Sequence, residues 1–109
     1  MQNETKVRLA LVTCATLEEA RKIARGVVEK HLAACVNVVN SPVESFYTWE
    51  GKHENTSEYL LIVKTTEERL GELQKEVLRL HSYDTPEFVV LPIVAGSEKY
   101  LQWLAGSVT

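Results

Sequence analysis

Two cysteines and three histidines are the side chains of this sequence that best suit a soft metal ion. They are Cys14, Cys35, His31, His53 and His81. Copper and zinc prefer thiolate and imidazole ligands, but no His-x-x-x-His or Cys-x-x-Cys spacing occurs, so the sequence does not predict a preformed zinc site. The structural alternative is that both cysteines are small buried hydrophobes, that His31 and His81 close helices, and that His53 is solvated.

Aromatic and charged side chains form a second candidate set, which could line a cleft for a small ligand. The set is Tyr47, Trp49, Lys64, Tyr83 and Glu87. An aromatic wall with one cation and one anion is typical of such a cleft, and interface packing with a salt bridge explains the same residues equally well. No Ser/His/Asp order, nucleophile elbow, glycine-rich phosphate loop or paired-carboxylate spacing occurs, so the sequence does not predict an enzyme.

A long β-hairpin from Cys35 to Thr65 must position most of these side chains. Its arms are rich in β-branched and aromatic residues, and Gly51 in the turn Glu50-Gly51-Lys52 permits a tight reversal. Apolar residues occupy even positions before Pro42 and odd positions after it. Because strand side chains alternate with a period of two, we predict a bulge near Pro42. Both arms exceed the usual strand length of about 5–6 residues, so we expect part of the hairpin to pack outside its own core.

The remaining elements predict a βαββαβ order with an extra C-terminal helix. They are a strand at 7–14, a helix from Leu17 to about Leu32 with a capping box at Thr16 and Glu19, a helix from residue 65 or 66 to Leu80, a strand at 88–95, and a helix that starts at 96–97. Right-handed crossovers and antiparallel pairing favour an α+β, ferredoxin-like sandwich. In that fold Cys14 and Cys35 lie at opposite ends of the sheet and cannot share a metal within one chain.

Three of the predicted strands are apolar on both faces. Strands with only one covered face should alternate apolar and polar residues, but residues 9–12, 59–63 and 88–94 do not alternate. We therefore expect a neighbouring subunit to cover the second face. The alternative is that the short terminal helix curls under the sheet and covers it alone.

Length and composition describe one ordinary globular domain, residues 1–109, with residues 1–6 frayed. The net charge of −3 without a basic cluster argues against a nucleic-acid binder. No apolar run reaches the roughly 18 residues of a membrane span. The N-terminus does not resemble a signal peptide, and two cysteines do not make a disulfide framework, so we expect a reducing, cytoplasmic location.

Five motifs, in order and at the right spacing, resemble the CutA divalent-cation tolerance family. They are Leu32-Ala33-Ala34-Cys35-Val36-Asn37, Tyr47-x-Trp49-Glu50-Gly51-Lys52, Leu60-x-x-x-Lys64-Thr65, His81-x-Tyr83-x-x-Pro86-Glu87 and Tyr100-Leu101-x-Trp103-Leu104. The resemblance covers nearly all of the chain beyond residue 6. It implies a ferredoxin-like fold, a tight homotrimer similar in architecture to the PII signalling proteins, and a link to tolerance of copper and other divalent metals.

The resemblance also bears on the candidate metal ligands, which are His81 and Cys35. His81 matches a histidine of the family's metal-binding members, whereas the first-strand cysteine of some bacterial members falls at Val12 and not at Cys14. Two functions follow as hypotheses. The first is a trimeric, non-enzymatic protein that binds copper or another divalent metal ion. The second is a PII-like regulator that binds a small anionic ligand in a cleft between subunits.

Overall fold

The computed structural model describes residues 1–3 and 5–109. Its strands are β1 (Gln2–Asn3), β2 (Val7–Cys14), β3 (Cys35–Val38), β4 (Val43–Trp49), β5 (Lys52–Thr66), β6 (Val89–Pro92) and β7 (Ala95–Gly96). Its helices are α1 (Leu17–Glu29), α2 (Leu70–Leu80), which follows a 3₁₀ turn at Glu67–Arg69, and α3 (Glu98–Gly106).

The main sheet has the spatial order β3-β5-β2-β6, and β4 pairs with the first half of β5. Every one of these pairs is antiparallel. Helices α1 and α2 cover one face, where the buried core consists of Ala10, Val12, Cys14, Ala20, Ile23, Val27, Leu32, Ala33, Leu61, Val63, Leu73 and Val77. The predicted ferredoxin-like α+β fold is confirmed.

The molecule as a whole measures 44 × 25 × 24 Å. Its longest element is β5, the second arm of the hairpin. Glu50 and Gly51 alone make the turn, with φ of 50° and 78°, because a two-residue turn with both φ positive matches the twist of the strands. Lys52, which we had assigned to the turn, already pairs with Trp49. Residues 39–42 of the first arm face only residues 59 and 60 of the second, so the interruption predicted at Pro42 is present.

Local signals place only some of the helix ends. Helix α2 ends at Leu80 as predicted, but it begins at Leu70, after the 3₁₀ turn, and Thr66 makes no side-chain cap hydrogen bond. Glu19 donates its backbone N–H to Thr16 Oγ1 at 3.1 Å, as a cap requires. Helix α1 nevertheless stops at Glu29, three residues before the predicted end, because His31 adopts a φ of 58°. The last predicted strand is also divided, into β6 and β7, directly after Pro92, which has no N–H to donate to a ladder.

The outer face of the sheet is only partly covered. Helix α3 closes one end of it, where Leu101 and Leu104 pack on Val7. Further along, alternation in the paired strands puts Leu9, Leu11, Leu60, Ile62, Val89 and Leu91 on this face. Val89 and Leu91 are 48% and 44% exposed, so the terminal helix does not cover the face alone.

The N-terminal residues are more ordered than expected where they are described. We expected residues 1–6 to be frayed, but Gln2 and Asn3 pair with Gly96 and Ala95. Glu4, which falls within the same expectation, lies outside the described residues. Among the described helices, none has the length and apolar character needed to cross a bilayer.

Candidate functional site

Three side chains that could bind a metal ion lie close together at the end of β2, the start of α1 and the end of α2; we call Cys14, Glu19 and His81 the trio. Cys14 is the last residue of β2, Glu19 lies in the first turn of α1, and His81 caps the end of α2. Their ligand atoms lie within 4.8 Å of one another. Antiparallel packing of α2 beside α1 brings together two side chains that are far apart in the sequence. A thiol, a carboxylate and an imidazole of this kind form a donor set suited to a soft metal ion.

His81 is buried and both of its ring nitrogens have partners. Nε2 lies 2.7 Å from the Thr13 carbonyl oxygen, and the Tyr83 backbone N–H donates to Nδ1 at 3.1 Å. The carbonyl can only accept, so the neutral ring carries its hydrogen on Nε2. Glu19 Oε1 lies 3.5 Å from Nδ1 and is buried without a hydrogen-bond partner. Two acceptor atoms therefore face each other, and a cation between them would satisfy both.

Cys14 completes this trio as a thiol. Burial, followed by the negative charges of Glu19 and Glu58, raises the pKa of Cys14 from 9.0 to about 12. The sulfur therefore carries its proton at neutral pH. A metal that binds here must displace that proton, since the thiolate is the ligand.

An aromatic and acidic cleft of about 650 Å³ lies beside the trio. It is lined by Thr13, Ser45, Phe46, Tyr47, Trp49, Glu58, Tyr83, Asp84, Thr85 and Glu87. Phe46, Tyr47 and Trp49 come from strand β4 of the hairpin, and Tyr83 to Glu87 come from the loop that follows α2. The size falls in the range of roughly 300–1,000 Å³ that is usual for small-ligand pockets.

Tyr83 contacts His81 on one side and lines the cleft on the other. Its ring centroid lies 4.7 Å from that of His81, and its hydroxyl donates to Glu58 Oε2 at 3.1 Å. Burial and the bond to Glu58 raise the pKa of Tyr83 to about 12. Burial and the charge of Glu58 also raise the pKa of Glu87. A change at His81 Nδ1 would act directly on the Tyr83 backbone and so on the cleft.

Four of the five predicted cleft residues share this space, namely Tyr47, Trp49, Tyr83 and Glu87. Lys64 does not line it in the single chain. The Lys64 ammonium instead donates to Tyr100 Oη at 3.4 Å and lies 5.6 Å from the centroid of the Tyr100 ring.

Cys35 and His81, the two predicted metal ligands, do not come together. Cys35 pairs with Lys64 on β5, whereas Cys14 pairs with Tyr59. The two cysteines therefore lie at opposite ends of the sheet, as predicted. Cys14 was predicted to be either a soft-metal ligand or a buried hydrophobe, and Glu19 was predicted only as part of a helix cap. One signal could have identified the trio. Cys14 ends a strand, Glu19 begins a helix and His81 ends another helix, and in this fold those three ends lie at the same edge.

The other two histidines lie away from the trio. His31 was expected to close a helix, but it follows the end of α1 at Glu29, in a left-handed conformation. His53 is exposed on the hairpin, with Nδ1 lying 3.2 Å from Thr48 Oγ1. Neither belongs to a three-ligand group among the residues that the structure describes.

Comparison with known proteins gives a consistent result over most of the chain. Residues 8–107 match the family model described as CutA1 divalent ion tolerance protein. The divalent-cation tolerance protein CutA of Archaeoglobus fulgidus is 45% identical over 93 residues, which is 85% of this chain and 89% of that protein. The chloroplastic protein CutA of Arabidopsis thaliana is 48% identical over 96 residues, or 88% of this chain, but the match spans only about half, 52%, of the plant protein.

The solved structures give the same similarity. The divalent cation tolerance protein from Thermus thermophilus aligns with a TM-score of 0.92 at 42% identity, over 94% of this chain and 99% of that one. The CutA1 structure from Oryza sativa aligns with a TM-score of 0.91, also at 42% identity, over 94% of each chain.

Proposed function

Because this chain belongs to the CutA1 divalent ion tolerance family, we propose that it binds copper or another soft divalent metal ion through Cys14, Glu19 and His81. The observation that carries the proposal is the buried, unpartnered Glu19 Oε1, 3.5 Å from His81 Nδ1. A buried acceptor without a partner costs about 1–3 kcal/mol. A bound cation would remove that cost.

Each ligand has a defined chemical task in this proposal. Cys14 loses its proton to become the thiolate, so affinity rises with pH. Glu19 supplies a fixed negative charge. His81 supplies the Nδ1 lone pair while Nε2–H stays bonded to the Thr13 carbonyl, the kind of outer partner that orients metal-bound imidazoles. Since the Tyr83 N–H uses the same lone pair, metal binding must shift the start of the loop after α2.

Calorimetry with Zn²⁺ and the thiolate-to-metal absorption of a Co²⁺ complex test the site. The reduced full-length protein should bind one ion per chain. Cys14→Ala should abolish the thiolate absorption, and Glu19→Gln should weaken binding at least about tenfold, since even loss of an outer partner costs that much. Cys35→Ala is the matched control and should bind as the wild type does. Binding that survives Cys14→Ala but is lost in Cys35→Ala would contradict the proposal.

The assembly we propose is a homotrimer with a PII-like arrangement, in the cytoplasm. Support comes from the outer sheet face, where apolar side chains such as Val89 and Leu91 remain about half exposed in the single chain. Both cysteines are unpaired, which suits a reducing compartment. In this proposal the protein binds a metal ion and does not act as an enzyme.

The alternative function is a PII-like regulator that binds a small anionic ligand. Its support is the cleft formed by four of the five residues predicted for it. It requires a neighbouring copy to supply Lys64, because no basic side chain lines the cleft in one described chain. A small anion that binds more tightly than its cationic analogue would support this alternative over the inference below.

A further inference from the structure

In the single chain, the aromatic and acidic cleft carries negative charge that no basic side chain of its lining neutralises. Its lining contains Glu58, Asp84 and Glu87 and, within the described chain, no lysine, arginine or histidine. None of these three carboxylates takes part in an ion pair among the described residues, whose salt bridges lie elsewhere. The field inside the cleft therefore favours a cation.

Glu58 gives this charge a fixed position. The residue is only 9% exposed, and among the described residues its side chain has one hydrogen bond, which it accepts from the neutral Tyr83 hydroxyl at 3.1 Å. A charged residue this buried normally has a cationic partner. Glu58 lines the cleft, where a ligand could supply that partner.

Aromatic side chains form the other wall and distinguish an organic cation from a metal ion. Phe46, Tyr47 and Trp49 are 71%, 43% and 50% exposed, and aromatic faces attract ammonium groups at distances up to about 6 Å. The three carboxylates do not form a compact ligating group, since the one described group of three ligand atoms within 4.8 Å is the Cys14 trio. A hard divalent ion needs several oxygens around it, which this wall does not offer.

We propose that this cleft binds a small organic ammonium ion with an apolar body. Its charged end pairs with Glu58, and its apolar part lies against Tyr47 and Trp49. The volume of about 650 Å³ admits a molecule of one ring and a short chain. This inference does not depend on metal binding by the trio.

Three probes with the same phenylethyl body and different charge test it: 2-phenylethylammonium, 2-phenylethanol and 3-phenylpropanoate. Calorimetry on the intact wild-type assembly should show saturable binding of the ammonium ion, with at least about tenfold weaker binding of the alcohol and the anion. Glu58→Gln keeps a side chain that can accept from Tyr83 and should weaken the ammonium ion at least about tenfold. Trp49→Leu should weaken it several-fold.

Glu98→Gln is the matched control. It removes one charge from an exposed position at the start of α3, outside the lining of the cleft, and should leave binding unchanged. Tighter binding of the anion, no binding of any probe, displacement of the ammonium ion by equimolar Ca²⁺, or equal losses in Glu58→Gln and Glu98→Gln would each overturn the proposal.

Discussion

His81 is chemically the most constrained residue of the chain. Its Nε2 pairs with the Thr13 carbonyl oxygen, and its Nδ1 accepts from the Tyr83 backbone N–H. A metal ion at Nδ1 would compete with the bond from Tyr83. The motif around His81 predicted this residue as a ligand, but its neighbours Thr13, Cys14 and Glu19 come from the opposite half of the chain.

Cys14 makes stability depend on alkaline pH. The thiol has its ordinary pKa of 9.0 when unfolded and about 12 when folded, so the unfolded state releases its proton first. Stability from the protonated thiol is complete below pH 9 and falls as pH rises towards 12, with a slope of up to about 1.4 kcal/mol per pH unit. Tyr83, whose pKa is raised from 10.0 to about 12, adds to the loss above pH 10.

Urea unfolding between pH 8 and pH 11 measures this loss. Cys14→Ala should flatten the slope between pH 9 and 10, where Tyr83 contributes little. Cys35→Ala is the control and should keep the wild-type slope. A Cys14→Ala variant as sensitive to pH as the wild type would show that the buried thiol is not responsible.

At the scale of elements, the two-residue hairpin turn sets the register of a long pair of strands. Glu50 and Gly51 both adopt positive φ, and the pairing of Trp49 with Lys52 follows from this two-residue turn. The register in turn puts Tyr47 opposite Glu54 and Val43 opposite Glu58. Those pairs place the aromatic wall of the cleft, so the turn positions the site from a distance.

Two glycine-to-alanine substitutions should have opposite signs. Gly51 has φ of +78°, where a Cβ is strained, so Gly51→Ala should destabilise the fold by about 1 kcal/mol. Gly71 lies in α2 with no heavy atom within 4 Å of an added Cβ, so Gly71→Ala should stabilise by roughly 0.5–1 kcal/mol. Denaturant melts of both variants beside the wild type check this. Stabilisation by Gly51→Ala would contradict the role assigned to the turn, and destabilisation by Gly71→Ala would contradict the interpretation of α2.

At the scale of the whole molecule, the sheet has a dry face and an incompletely covered one. Helices α1 and α2 bury the first, whereas α3 reaches only the end of the second near Val7. Apolar side chains of β2, β5 and β6 continue across the uncovered part. An exposed apolar patch on a sheet marks an interaction surface, which is why we propose that copies of the chain associate through it.

Sedimentation equilibrium at micromolar concentration tests this association. The wild type should have three times the 12.3 kDa mass of one chain. Leu91→Lys should reduce that mass, because Leu91 is 44% exposed on the outer face and burying its charged replacement would be costly. Val28→Lys places the same charge on α1, where Val28 is 39% exposed away from the sheet, and should leave the mass unchanged. A wild-type protein that sediments as one chain would contradict the trimer.

Much of the fold could be predicted because it depends on local signals. Thr16 caps a helix through a hydrogen bond three residues away, Gly51 permits a turn within two residues, and the strand and helix periods are properties of short segments. The two-sided apolar strands also indicated, without any coordinates, a face that the chain alone leaves open.

Which residues meet in each of the two sites could be learned only from the three-dimensional structure. Cys14 meets His81, 67 positions later, because β2 and α2 end at the same edge, and Lys64 leaves the predicted cleft because the register of β5 carries it towards Tyr100. Such meetings depend on strand register, sheet twist and loop path together, and no short stretch of sequence encodes that combination.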